Sequence, residues 1–146
     1  MTPTEMAALH QACFTVPRPW SVAEFALLLD DPLVMAVTAD SGFLLGRIVA
    51  GEAEVLTLAV DPDARRRGVG RGLMARFHQV AHDRGATEAF LEVADDNSAA
   101  RALYAELGYR LSGTRRGYYR QSGATAVDAL VMRSNLAGQS TLPPDL

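Results

Sequence analysis

Lysine is absent from the chain: all 14 basic residues are arginines. Without a lysine amine there is no Schiff base, which excludes ordinary pyridoxal-phosphate chemistry. A Walker A loop is excluded as well, because its lysine reaches the terminal phosphates of a nucleotide. Cysteine is nearly absent. The single Cys13 forbids an internal disulfide, permits a reducing compartment, and reads as a small core residue. No apolar run approaches the roughly 20 residues that span a bilayer. Residues 1–10 lack the basic and apolar regions of a secretory signal. An excess of positive charge is missing too: the net charge is −3, which gives no support to a nucleic-acid-binding surface and is weakly compatible with a basic peptide. No G-x-S-x-G nucleophile elbow occurs. The expected location is cytoplasmic, with neither nucleic acid nor membrane as partner; the sequence assigns no oligomeric state.

What is present suits one domain. The 146 residues are 49% hydrophobic and 21% charged, as in a globule with a single core, and no repeat or linker divides them. Residues 1–136 are expected to form that domain and residues 137–146 a disordered tail. Apolar spacing predicts a short helix over Met6–Phe14. Ser21, with Glu24 three residues on, forms a capping box for a second helix that ends near Leu29. Strands are expected over Leu33–Thr38, Phe43–Val49 and Ala53–Val60, with tight turns at Asp40-Ser41-Gly42 and Ala50-Gly51-Glu52. A helix over Val69–Arg84 has a buried stripe of Leu73, Phe77, Val80 and Ala81, and Gly85 caps it in the left-handed conformation. A strand over Thr87–Val93, a helix from Asn97 or Ser98 to Leu107, and strands over Tyr109–Arg115 and Ala126–Met132 complete an α/β sheet with helices on its faces. His78 and His82 sit four apart on one helix, but no third ligand is evident and Gln79 stands where a zincin needs glutamate. They read as a solvated helix face, and no metal is expected.

The chemistry concentrates after the third strand. Arg65-Arg66-Arg67-Gly68-Val69-Gly70-Arg71-Gly72 joins that strand to a helix. Glycines let the backbone approach a ligand closely, and the helix start offers unpaired N–H groups and a positive dipole end. With flanking arginines this makes an anion site suited to a pyrophosphate. Alone, the same loop also reads as a solvated arginine cluster at a glycine turn. A dinucleotide fold fits poorly, since its G-x-G-x-x-G opens a parallel βαβ unit and this loop follows a meander.

Further on, Glu92 shares a strand face with Phe90, opposite Ala89, Leu91 and Val93. Asn97 and Tyr104 are seven apart and share a helix face. Acyl transfer to an amine needs a base for the ammonium proton and benefits from an acid at the leaving thiolate, and a carboxylate and a phenol can fill those roles. Each residue also has an ordinary reading: Asn97 as a helix cap, Tyr104 as packing, Glu92 as an arginine's partner.

Together these segments resemble the GNAT N-acetyltransferase superfamily. Arg65 to Gly70 is similar to its R/Q-x-x-G-x-G/A signature, and Leu58-Ala59-Val60-Asp61-Pro62 to the strand and turn before it. Asn97 to Tyr109 resembles its N-x-x-A-x-x-L-Y-x-x-x-G-F/Y pattern. The resemblance covers most of the chain and looks closest to the bacterial ribosomal-protein-alanine N-acetyltransferases, the RimI type. Pro19-Trp20-Ser21, Leu91-Glu92-Val93, Arg115 to Tyr119 and Asp128 to Met132 are similar to that group's P-W-S, L-E-V, R-x-N-Y-Y and D-A-x-x-M.

The resemblance implies a GNAT fold, a mixed, mostly antiparallel twisted sheet flanked by helices, with the usual first strand short or absent. It implies acetyl-CoA as co-substrate and no metal. Leu58, Ala59 and Val60 would pair with the pantetheine arm, with the backbone near Ala59 at the oxyanion. Arg66, Arg67, Gly68, Val69, Gly70, Arg71 and Gly72 would cradle the pyrophosphate, with Asn97 also at the cofactor. Glu92 would be the base and Tyr104 the acid. The implied acceptor is the N-terminal alanine amine of a basic small-subunit ribosomal protein, attacked directly. Another protein N-terminus, a small amine, or a non-catalytic acyl-CoA sensor remain the alternatives. Ala94, Gly117, Arg120 and Val127 depart from the group's usual arginine, asparagine, proline and glutamate, and these departures bear on peptide binding rather than on the CoA motif. Glu54 and Tyr118 are further candidates for a peptide groove, equally readable as surface or cross-strand residues.

Overall fold

The computed structural model describes residues 1–15, 17–119 and 126–136. Two capping boxes start the chain. Thr2 and Glu5 exchange side-chain and backbone bonds to open α1 (Pro3–Cys13), and Ser21 and Glu24 do the same for α2 (Val22–Asp30). The first helix therefore begins three residues ahead of the apolar pattern, because Thr2, a proline in the first turn and Glu5 fix its start.

The first strand, β1 (Val34–Ala39), comes only after both helices. It opens a meander with β2 (Gly42–Val49) and β3 (Glu52–Val60). Ala50 and Gly51 both have positive φ, 51° and 81°, which is the two-residue hairpin turn that matches strand twist. A 3-10 turn (Pro62–Ala64) leads to α3 (Val69–Asp83), followed by β4 (Glu88–Ala94), α4 (Ser98–Glu106), β5 (Arg110–Tyr119) and β6 (Val127–Asn135). Gly85 adopts a φ of +88°, as expected after α3. The described strands form one sheet in the order β1-β2-β3-β4-β6-β5. Only β3 and β4 run parallel; the other neighbours are antiparallel. The expected tail over residues 137–146 lies outside the described residues, as does Arg120.

The sheet is covered on both faces. Leu44, Val55 and Leu91 pack with Leu73, Met74 and Phe77 of α3 on one side. Phe43, Leu45 and Ala59 pack with Met6 and Phe25 of α1 and α2 on the other. Phe25, Phe43 and Phe77 are fully buried, and each burial stabilises the fold by roughly 2–3 kcal/mol. Phe77 lies over Gly46, where a Cβ would sit 2.2 Å from its Cε1, so the bulk of α3's central ring requires a strand residue with no side chain.

The buried stripe of α3 differs from the expectation. Leu73, Met74, Phe77, His78 and Ala81 are buried, and Val80 is only half-buried. The helical period places positions 73, 74, 77, 78 and 81 on one side and Val80 on its flank. His78 is thus no part of a solvated face: it is buried, with its Nε2 2.6 Å from the Tyr109 hydroxyl. His82 is half-buried beside Asp83.

Candidate active site

The parallel pairing of β3 and β4 is short. It runs from Glu52–Glu88 to Val55–Leu91 and stops there, although β3 continues to Val60 and β4 to Ala94. Beyond that point β3 pairs with β2, and β4 with β6. The two strands therefore part at the centre of the sheet, and their facing edges carry main-chain groups able to pair with an extended ligand. Leu58, Ala59 and Val60 lie on this diverging stretch of β3.

A β-bulge accompanies the divergence. Gly46 faces Val55 and Leu45 faces Thr57, so the register skips Leu56. The extra residue reverses which side chains face which layer. Ala53 and Val55 pack toward α3, but beyond the bulge it is Leu58 and Val60 that do so, while Ala59 joins the α1–α2 side. The resemblance puts the oxyanion-supporting backbone near Ala59; the register irregularity itself falls at Leu56. Its trace in the sequence is the adjacent apolar pair Val55-Leu56, where the alternation changes parity.

At the end of β3 lies the arginine–glycine loop. Arg66 and Gly68 both adopt left-handed conformations, with φ of 66° and 77°, and alternation of this kind turns successive N–H groups inward as an anion-binding nest. Thr2, Ser21 and Asn97 cap α1, α2 and α4 with their side chains, but Gly68 offers α3 none. The first-turn N–H groups of Val69, Gly70 and Arg71 therefore have no side-chain cap. Gly72 is different: its N–H is bonded to the Gly68 carbonyl at 2.9 Å, so it offers no donor to an anion. Arg66 and Arg67 are exposed and have no acidic partner among the described residues. The Arg71 guanidinium is tied to Glu106 of α4, which leaves its backbone as the part facing the loop. A Cβ on Gly70 would touch Leu103 at 3.4 Å and Leu58 and Val60 at 3.7 Å, so the start of α3 rests on both β3 and α4.

The acid–base candidates occupy opposite faces of the opened sheet. Glu92 lies on the α1–α2 face, partly exposed, with its Oε1 3.2 Å from Arg115 Nε. Glu54, half-buried on the same face, is within electrostatic reach of it. Burial raises the Glu54 carboxyl above its usual value; Arg47, 3.7 Å away, opposes the shift and Glu92 adds to it. Tyr119 closes this group, its phenol pushed up to about 12 by burial. On the other face Tyr104 is buried in the α3–α4 core, and burial pushes its hydroxyl up to about 12. The phenol thus stays protonated at neutral pH. Asn97 uses its Oδ1 to cap α4, 3.2 Å from the Ala100 N–H, and keeps its amide NH2. The site therefore gathers Glu92 with Glu54 and Arg115, a set that strand alternation alone does not reveal. Arg115 comes from β5, and its place beside Glu92 is set by the β4–β6–β5 register.

An anion nest, a parted sheet, and a carboxylate and a protonated phenol on either side of the opening suit transfer of an acyl group from a phosphate-bearing carrier to an amine. The sequence comparisons agree. Residues 4–109 match the family described as Acetyltransferase (GNAT). The chain is 40% identical over 136 residues to the N-alpha-acetyltransferase RimI of Mycobacterium tuberculosis, covering 87% of this chain and 82% of that one. It is 34% identical over 118 residues to the [ribosomal protein bS18]-alanine N-acetyltransferase of Escherichia coli strain K12, covering 78% and 79%. The crystal structure of the ribosomal-protein-S18-alanine N-acetyltransferase from Escherichia coli superposes with a TM-score of 0.82 at 29% identity, over 99% of this chain and 92% of that one. The chain belongs to the GNAT acetyltransferase family, and it is an N-acetyltransferase.

Proposed function

We propose that this enzyme uses acetyl-CoA to acetylate the N-terminal alanine of a small-subunit ribosomal protein in the cytoplasm. The observation that carries the reading is the opening between β3 and β4, with an uncapped helix start at its end and Glu92 and Tyr104 on its two faces. The activities named for the relatives above support the choice of acceptor.

Acetyl-CoA, when bound, supplies the activated thioester. Arg66, Arg67 and the main chain of Gly68, Val69, Gly70 and Arg71 hold the pyrophosphate. The main chain of Leu58, Ala59 and Val60 pairs with the amides of the pantetheine arm. The Asn97 amide faces the cofactor from the start of α4. Glu92 takes the proton from the substrate ammonium, directly or through water, and Arg115 holds its carboxylate in place. Main-chain N–H groups along the bulged stretch from Leu56 to Ala59 stabilise the oxyanion. Tyr104 gives its proton to the departing sulfur. The amine attacks the thioester carbonyl directly, so no nucleophilic side chain is required.

Mass spectrometry tests the reading. Acetyl-CoA is offered with a basic peptide beginning in alanine, with the same peptide blocked at its N-terminus, and with a panel of small amines. One acetyl group is expected on the free alanine peptide alone. Transfer to small amines only would overturn the acceptor, and CoA binding with no transfer to any of them would overturn the proposed reaction.

A further inference from the structure

We infer that His78 is a positioning residue for acetyl transfer: through its hydrogen bond to Tyr109 it holds that ring against Tyr104 and so fixes the phenol that serves the leaving sulfur. The inference rests on the role given to Tyr104 above.

Two contacts and one absence carry it. The first is local. Gly108 takes a φ of +94°, and the Tyr109 N–H returns to the Tyr104 carbonyl at 2.9 Å. This is a Schellman ending, which folds the residue after the glycine back against the last turn of its own helix. The Tyr104 and Tyr109 rings consequently lie 5.9 Å apart, tilted by 59°. The second contact is distant in sequence: His78 of α3 places its Nε2 2.6 Å from the Tyr109 hydroxyl, with the two rings 5.6 Å apart. The third is a missing one. Among the described residues the Tyr104 hydroxyl has no hydrogen-bond partner, so the orientation of its ring depends on what packs beside it.

Burial alone does not call for this histidine. An apolar residue at position 78 would fill the stripe of α3 without bringing a polar ring into the core, where such a group costs free energy unless bonded. Burial lowers the imidazole to about 4, so it is neutral at pH 7 and offers one donor and one acceptor nitrogen. A neutral ring bonded to a buried hydroxyl adds direction rather than charge. That direction passes through the Tyr109 ring to Tyr104, whose charge, if it formed, would also oppose ionisation of Tyr109. His78 touches neither substrate nor cofactor in this account; it acts through the two tyrosines.

The test is a double-mutant cycle. His78→Leu, His78→Gln and Tyr109→Phe are each made in the wild type and in Tyr104→Phe, and kcat and the KM for acetyl-CoA are measured. In the wild type, His78→Leu and Tyr109→Phe should lower kcat by about tenfold and change KM by less than about twofold. His78→Gln, whose amide can still bond the Tyr109 hydroxyl, should recover most of the loss. In the Tyr104→Phe background the same changes should cost less than about twofold, because the group they position is gone. Equal losses in both backgrounds, or no loss in the wild type, would overturn the inference. Should His78→Leu fail to fold, Tyr109→Phe, which removes one oxygen and keeps the ring, carries the cycle alone. The Tyr104→Phe single variant separates the two claims: unchanged turnover there would overturn the acid itself.

Discussion

One added methyl at Gly68 should damage acetyl-CoA binding more than any comparable change along the loop. Gly68 sits at the N-cap of α3 with a φ of +77°. An alanine in that conformation costs roughly 1–2 kcal/mol from its own Cβ. Apart from its chain neighbours and its own helix's backbone, none of the described residues has an atom within 4 Å of the added carbon, so the effect is backbone strain. The protein has two responses. Keeping the turn should lower Tm by roughly 3–7 °C for a chain of this length. Relaxing the turn avoids that loss but swings the first N–H groups of α3 away from the anion. The KM for acetyl-CoA should rise by about tenfold, the equivalent of about 1.4 kcal/mol. Gly72 supplies the control. Its N–H is already bonded to the Gly68 carbonyl, it lies in the helix, and a Cβ there meets no atom of the described residues beyond its own helix within 4 Å. Gly72→Ala should stabilise the fold by about 1 kcal/mol through helix propensity and leave KM within about twofold. The assay is thermal unfolding with and without CoA, together with steady-state kinetics on both variants. A Gly68→Ala enzyme whose Tm is unchanged, so that the turn has relaxed, and whose KM is also unchanged would refute the nest as the pyrophosphate site.

Tyr104→Phe should lower kcat by about a hundredfold or more while KM for acetyl-CoA holds, as expected for a lost general acid; steady-state rates near wild type would remove it from that role. Glu54→Gln should make the protein more stable at pH 7. Burial raises the folded-state pKa of Glu54 above 4.5, so stability is lost as pH rises through that window, and the variant's advantage should vanish below pH 4.5; urea titrations that show the same gap at both ends contradict this. His10 accepts the Trp20 N–H at Nδ1 and contacts the Thr57 hydroxyl through Nε2, and burial lowers it from 6.5 to about 4. His78 is lowered to about 4 by burial as well, so the stability the two contribute as neutral rings is complete above pH 6.5 and is lost as pH falls toward 4; the unfolding free energy should drop between pH 6.5 and about pH 5, before most carboxylates titrate, and a flat profile there argues against their burial as neutral rings.

Features written in neighbouring residues were legible in the sequence. The Ser21–Glu24 capping box, the left-handed Gly85, and the strand-to-helix passage through Gly68 all depend on bonds that span a few positions. Features set by register were not. The bulge at Leu56 is a relation between two strands, and β3 by itself shows only that its apolar residues do not alternate strictly. The Arg115–Glu92 pair needs β6 to lie between β4 and β5. By residue type His78 reads as solvated although its place in the helical period is a buried one, and Tyr109, its partner, lies in the chain beyond another strand and another helix. In the sequence the basic loop is one run of residues, but the fold divides it: Arg71 bridges to α4, while Arg66 and Arg67 face solvent.

The strongest local signal for the site was an omission. Three helices carry Thr2, Ser21 and Asn97 at their N-caps, each an acceptor for an otherwise unpaired N–H, and α3 has glycine at that position. An N-cap glycine costs only a few tenths of a kcal/mol relative to serine or asparagine, so stability alone would tolerate either. Function would not. A side-chain oxygen at position 68 would occupy the first-turn N–H groups and present a lone pair to an incoming phosphate, which repels it. The left-handed φ of Gly68 adds a second reason, since it points the same N–H groups into the nest that Arg66 begins. The residue that leaves the helix uncapped is therefore the one that shapes the anion site, and both properties follow from the absence of a side chain.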